Sequence, residues 1–162
     1  MDWKKYRLLF FVSVVTVGLD QITKIMVLKS MTLYQSIPVI PGFFNLTYIR
    51  NPGGAFGFFA NQSPEIRSFV FIFVSFLAIG FILYFYIHTP DTHKLLATGF
   101  ALIFGGAIGN MIDRIRFRTV VDFLDVYIQN MHWPAFNIAD SAISIGMAIF
   151  IYHVLTQKMP VE

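Results

Sequence analysis

The sequence predicts a membrane all-α protein with a small β element, built on four transmembrane helices. Three observations predict it. Of 162 residues, 56% are hydrophobic and only 13% charged, against about 25% charged in ordinary soluble domains. Mean hydropathy is +0.65, so much of the surface faces lipid. Four apolar stretches approach the roughly 20 residues that cross about 30 Å of hydrocarbon. They are continuous rather than alternating, which selects helices over barrel strands, the two structures that satisfy their own backbone in lipid. The length suits a single domain over 1–162.

The first span is Leu8–Leu28, broken only by Asp20 and Lys24. Lys4, Lys5 and Arg7 ahead of Leu8–Leu19 imitate the opening of a secretory signal. No small-x-small cleavage site follows and apolar residues resume after Asp20, so the span reads as a retained helix. Ser68–Ile87 and Leu95–Ile112 carry no charge, and the fourth span, Ile138–Leu155, has one acid, Asp140, in its first turn. Four spans put both termini on one side. Lys4, Lys5 and Arg7 favour a cytoplasmic N-terminus. The full count disagrees, because Lys24, Lys29, Arg50, Arg67, Arg114, Arg116 and Arg118 all fall at the other end. The first helix often dominates, so the termini are placed inside.

The short turn His88–Lys94 joins the second and third spans. The other links, Lys29–Arg67 and Asp113–Asn137, are long and lie on the opposite face. Loops of this length are usually functional or disordered, and their aromatic content argues against disorder. Phe43–Ile49 reads as extended, followed by a turn at Pro52-Gly53-Gly54, the whole lying on the bilayer surface. The scattered basic residues, net +3, give no nucleic-acid signal. The chain has no cysteine, which removes disulfides, a thiolate nucleophile and any Cys-ligated metal.

In so apolar a chain the informative residues are ionisable ones at membrane depth. Asp20 and Lys24 sit one helical turn apart, and the plain reading is a local ion pair with Lys24 snorkelling to the interface. Gly105 and Gly109 form a small-xxx-small face for close helix packing. Asn110 and Asp113 share a helical face, and Arg114 is placed to pair with Asp113 or a lipid phosphate. Asp122 lies inside a β-branched and aromatic stretch. Asp125 follows it and is expected to be a solvated loop acid. Asn137 and Asp140 have the spacing of a capping box at a helix start, and a helix start also favours a carboxylate. Asp20, Asn51, Asn110, Asp113, Asp122, Asn137 and Asp140 all map to one membrane face, and one shared site explains that convergence.

Elimination narrows the chemistry. There is no zinc motif, nucleophile elbow or phosphate loop. His88, His93 and His153 read as interfacial, and His132 has no partner in the sequence. Carboxylates and amides remain. Two carboxylates in one site keep one proton between them. The ionised one can activate water while the protonated one polarises a carbonyl, which is peptide hydrolysis without a covalent intermediate. A proton-coupled transporter would need acids near mid-membrane on several helices. A scaffold would leave the clustered acids unexplained. The residues alone do not separate Asp122 from Asp125, nor decide between capping and chemistry for Asp140.

Five blocks together resemble a known family. They are Asp20-Gln21-Ile22-Thr23-Lys24; Arg50-Asn51-Pro52-Gly53-Gly54-Ala55-Phe56-Gly57; Gly105-Gly106-Ala107 through Asn110 to Asp113-Arg114; Val121-Asp122-Phe123; and Phe136-Asn137-Ile138-Ala139-Asp140-Ser141. In this order they resemble the lipoprotein signal peptidases (signal peptidase II, bacterial membrane aspartic endopeptidases). The resemblance implies that Asp122 and Asp140 are the catalytic pair. It also implies that Asp20, Asn51, Gly54, Asn110, Asp113, Arg114 and Asn137 bind substrate or support the site. It implies four transmembrane helices with an outer-face β-cradle, drawn largely from Phe43–Phe59 and the last long link, and a short surface helix. The implied reaction removes the signal peptide of a diacylglyceryl-modified prolipoprotein just before its lipidated cysteine. The implied place is the bacterial cytoplasmic membrane, with both termini cytoplasmic. Partners would be that substrate and membrane lipids, with no nucleic acid, no metal and no cofactor, and a monomer would suffice.

Overall fold

The structure, a computed structural model, describes residues 3–53 and 63–156. Its elements run α1 (Trp3–Ser30), β1 (Ser36–Ile40), β2 (Phe44–Asn51), α2 (Pro64–His88), α3 (Lys94–Phe117), β3 (Val120–Ile128), β4 (Met131–His132) and α4 (Ile138–Thr156). All four helices are long and apolar enough to cross a membrane. No short surface helix occurs among the described residues, and 54–62 lie outside them.

The helices show the inverted amphipathicity that a lipid solvent demands. On α1 the buried residues are Ser13, Thr16, Asp20, Lys24 and Val27, three or four apart and so on one face. Phe10, Phe11, Val14, Leu19 and Met26 are exposed. The polar stripe therefore faces protein and the apolar residues face lipid. Helix α3 is the axis of the bundle, packed by α1, α2 and α4, and α2 buries only Tyr86 among its side chains.

Close approach to α3 rests on glycine. A Cβ on Gly105 would stand 2.9 Å from Thr16 Cβ, and one on Gly109 would stand 2.6 Å from Asp20 Oδ2. The expected small-xxx-small face therefore meets α1. The third helix also runs further than its apolar stretch suggests. It continues through Asp113 and Arg114 to Phe117 and ends on Arg118 in the left-handed region, φ 59°. Hydropathy marks where the lipid-facing run stops, whereas intrahelical hydrogen bonds carry a helix on while packing supports it.

Beyond that end lies an antiparallel sheet in the order β1-β2-β3-β4. Strand β2 pairs with β3 so that Ile49 faces Asp122 and Arg50 faces Val121, with a bulge between Leu46 and Ile49. Val27, Met31, Tyr48, Val121 and Phe123 form the core beneath the sheet, with Phe117 and Ile138 packed against it. Strand β1 is exposed throughout, and with Phe43, Met131 and Trp133 it presents an apolar, aromatic rim of the kind that lies on a bilayer surface.

Candidate active site

The site forms where the first residues of β3 meet the N-terminus of α4, the C-terminal half of α1 and the last turns of α3. Val120, Val121, Asp122 and Phe123 are all buried, so β3 carries its acid into the interior instead of alternating outward. Helix α4 begins immediately after Asn137. The Asn137 side-chain oxygen accepts from the Asp140 backbone N–H at 2.9 Å, and the Asn137 N–H donates to Asp140 Oδ2 at 3.2 Å. This is the reciprocal capping box that the spacing suggests.

The same Asn137 does more than cap. Its amide nitrogen donates to Asp122 Oδ1 at 2.7 Å, with Val121 O at 3.3 Å and Asn110 Oδ1 at 3.2 Å. Asn110 in turn donates to Asp140 Oδ1 at 2.7 Å. On the other side of Asp122, Oδ2 accepts from the Asn51 amide at 2.9 Å, while Asn51 Oδ1 receives the Gly53 N–H at 2.9 Å. Gly53 has φ +86°, a conformation glycine adopts freely, and that turn holds the Asn51 amide toward Asp122. The two acids are thus linked through Asn137 and Asn110.

A second layer of charges holds the first. Asp20 Oδ1 accepts the Ala139 N–H at 3.0 Å, and Asp113 Oδ2 accepts the Val121 N–H at 3.0 Å. Each of these acids pins the backbone position just before one of the linked aspartates. Between them lies Lys24, whose Nζ is 2.8 Å from Asp20 Oδ2, 3.0 Å from Asp113 Oδ2 and 3.1 Å from Asn110 Oδ1. Gln21 bridges the same acids at 3.1 and 3.2 Å.

The side chain of Lys24 is only 2% exposed, so it does not snorkel. An unpaired buried ammonium costs several kcal/mol, and its three donors meet three acceptors here. The local Asp20–Lys24 pair that the spacing predicts is present, and only the snorkelling is not. The Asp20–Lys24 helical spacing was visible, but the long-range partners on α3 were not.

Asp113 therefore pairs with Lys24 rather than with Arg114, whose Nη1 reaches Ser75 on α2 at 3.4 Å. Arg114 flanks the site as a positive charge near Asp140, Asp122 and Asp113 without joining the hydrogen-bonded network. Gly54 lies outside the described residues. Asp125 is not a freely solvated acid. It belongs to β3, with a side chain 13% exposed, and accepts from Asn45 at 2.9 Å. It also pairs with His132 Nδ1 at 2.8 Å, and that imidazole stacks on Tyr127. His132 thus has partners that no local sequence pattern announces, because they come from a neighbouring strand.

Burial pushes Asp122 up to about 7. The charge of Asp140 adds to the rise, against the opposing hydrogen bonds from Asn51 and Asn137. A cavity of about 390 Å³ opens beside Asp140, lined by Trp133, Phe136, Ser141, Ser144 and Ile145. A larger groove of about 610 Å³ along α1 and α3, lined by Leu9, Phe10, Val14 and Phe104, contains no carboxylate and is a lipid-facing furrow.

Fold and site together define a multi-pass membrane protein with a buried carboxylate site at one end of its helical bundle. The model of the signal peptidase (SPase) II family matches residues 12–156, and the chain belongs to that family, as a membrane aspartic peptidase. It is 58% identical over 152 residues to the lipoprotein signal peptidase of Desulforapulum autotrophicum, covering 94% of each chain. It is 48% identical over 144 residues to that of Geobacter metallireducens, covering 89% of this chain and 88% of the relative. A bacterial membrane enzyme solved by the in meso method at 1.9 Å resolution superposes with a TM-score of 0.83 at 32% identity, covering 93% of this chain and 94% of the other.

Proposed function

We propose that this protein cleaves the signal peptide from diacylglyceryl-modified prolipoproteins just before the lipidated cysteine, with Asp122 and Asp140 as the catalytic pair. The observation that carries this reading is the joining of those two acids, from separate elements, through Asn137 and Asn110. Membership of the signal peptidase II family and the names of the relatives support the substrate class.

In the proposed reaction Asp122 holds the proton and Asp140 is ionised. Asp140 takes a proton from water as its oxygen attacks the scissile carbonyl carbon. Asp122 gives its proton to the carbonyl oxygen, leaving a tetrahedral diol. When the diol collapses, the carbonyl re-forms and its proton returns to Asp122. Asp140 gives its proton to the departing nitrogen, and the C–N bond breaks. Asn51 and Asn137 hold Asp122 by its two oxygens, and the cavity beside Asp140 is where the extended peptide would enter. Lys4, Lys5 and Arg7 at the start of α1 support cytoplasmic termini, which puts the site at the outer face.

Two measurements test the reading. Purified enzyme is expected to cleave a diacylglyceryl-modified prolipoprotein peptide and leave its unlipidated counterpart almost intact. Equal turnover of both would refute the substrate assignment. The pH dependence follows from Asp122. Its raised value means that the proton is held below about 7 and lost above it. Above that point both acids are ionised and the proton donor is gone, so kcat/KM falls on the alkaline side; a profile flat to pH 9 would assign the proton elsewhere.

A further inference from the structure

We infer that Lys24 is a positioning residue for the reaction, setting the polarity of the amide chain that orients both catalytic aspartates. The inference rests on the reading of Asp122 and Asp140 as the catalytic pair. Lys24 touches neither of them. It acts through Asn110, whose Oδ1 accepts from Lys24 Nζ at 3.1 Å and from Asn137 Nδ2 at 3.2 Å. A side-chain amide has a donor end and an acceptor end. With its oxygen claimed by an ammonium, Asn110 has only its NH₂ to offer Asp140 Oδ1, 2.7 Å away. Turned over, Asn110 would set oxygen against the Asp140 carboxylate and NH₂ against the ammonium.

The polarity passes on through Asn137. Its NH₂ supplies the bond to Asn110 and the 2.7 Å bond to Asp122 Oδ1, which leaves its oxygen for the Asp140 N–H. One buried charge thus selects a single arrangement of two amides and two acids. It also fixes the backbone on both sides, because its partners Asp20 and Asp113 hold the Ala139 and Val121 N–H groups. Ammonium geometry suits the task. Three donors on one nitrogen reach Asp20 on α1 and both Asp113 and Asn110 on α3, whereas a guanidinium spreads its donors over a plane. Burying this charge is costly, and replacing a whole buried ion pair by apolar residues is often harmless to stability, whereas removing one partner alone strands the other. Stability alone does not call for a charge here, and orientation of the acids is what it provides.

The test compares Lys24→Met and Lys24→Arg with the unaltered enzyme, in detergent, on a diacylglyceryl-modified peptide. Thermal unfolding reports the folded fraction. For Lys24→Met, kcat is expected to fall about 100-fold with KM changed less than about threefold, since proton transfer suffers while substrate contacts stay. The alkaline limb of the pH profile is expected to move to higher pH, because the Lys24 charge that opposes the rise of Asp122 is gone. The other charges facing Asp122, Asp140 on α4 and Arg114 on α3, are untouched by the substitution.

Lys24→Arg keeps a cation between Asp20 and Asp113 and is expected to fold, with kcat down about tenfold and the alkaline limb left in place. For Lys24→Met, a lower yield of folded enzyme with an unmoved profile and unchanged kcat per folded molecule would make Lys24 a packing residue and overturn the inference. So would normal kcat in either variant, or failure of both to fold. Asp122→Asn and Asp140→Asn run alongside. Turnover by either would sink the catalytic pair itself, whereas dead aspartate variants beside normal Lys24 variants would sink only the role of Lys24.

Discussion

The two ends of the helical bundle are held by opposite means. At the end near the N-terminus the core is Tyr86, Leu96, Phe100, Ala101 and Ile103, with Leu8, Leu9, Ile82 and Phe150 packed around it. Phe100 meets Phe85 at 6.0 Å and Phe150 at 5.8 Å between ring centroids. Among its polar ties Tyr86 Oη donates to Lys5 O and Lys5 Nζ to Ile87 O, and Lys5 lies 4.0 Å from the exposed Asp91 carboxylate. At the other end the same helices meet through Asp20, Lys24, Asn110, Asp113, Asp122 and Asn137, all buried. In lipid, apolar side chains gain little by leaving their surroundings for one another, so the first end is held by close packing and interlocking rings. The second end uses directional bonds among costly desolvated groups. Packing of the first kind tolerates exchange of one apolar shape for another; a network of the second kind admits one arrangement, which a reaction centre needs.

That contrast can be broken by substitution, and the largest expected effect lies in the polar end. Asp122→Asn and Asp140→Asn should each lower kcat by at least about 1,000-fold. The unfolding midpoint should be held or raised in Asp122→Asn, where a desolvated carboxylate is removed, but not in Asp140→Asn, which weakens the α4 cap. Turnover within tenfold of normal in either would end the pair assignment. The apolar end should respond in the opposite sense. Phe100→Ala opens a cavity beside rings of α2 and α4 and should cost about 3 kcal/mol of stability, read as a lower unfolding midpoint, while kcat per folded molecule stays within about twofold. A matching loss of kcat would show the two ends to be coupled. The smallest effect should come from Asp125→Asn. That acid serves the Asn45 and His132 contacts at the outer part of β3, and its loss should change activity less than about fivefold; a dead variant would move the catalytic role from Asp122 to Asp125.

Legibility in the sequence followed the range of the interaction. Hydropathy located the four spans because each records a local preference for lipid over water. The Asn137–Asp140 cap was readable for the same reason, since both partners lie within one helical turn. The Phe43–Ile49 strand was readable from its β-branched and aromatic content, although its pairing with β3 was not. Snorkelling was expected of Lys24 because its further partners on α3 lie far along the chain, and His132 read as unpartnered because Asp125 reaches it only across the β3–β4 pairing. Asp113 was placed on the Asn110 face, yet the span was ended just before it, because hydropathy cannot register a helix that persists where its apolar residues end.

By itself the sequence determined a lipid-embedded four-helix chain with its acids and amides gathered toward one face, because composition and spacing express solvent preference and helical period. Which of those groups touch was decided only by the tertiary structure. The capping residue of α4 became the link between two aspartates, and a lysine that could have reached water became the buried centre of three contacts. The reason is physical: a hydrogen bond or ion pair depends on a separation of about 3 Å between atoms. Residues as distant in sequence as Lys24, Asn110 and Asn137 reach that separation only after the helices and the sheet have packed.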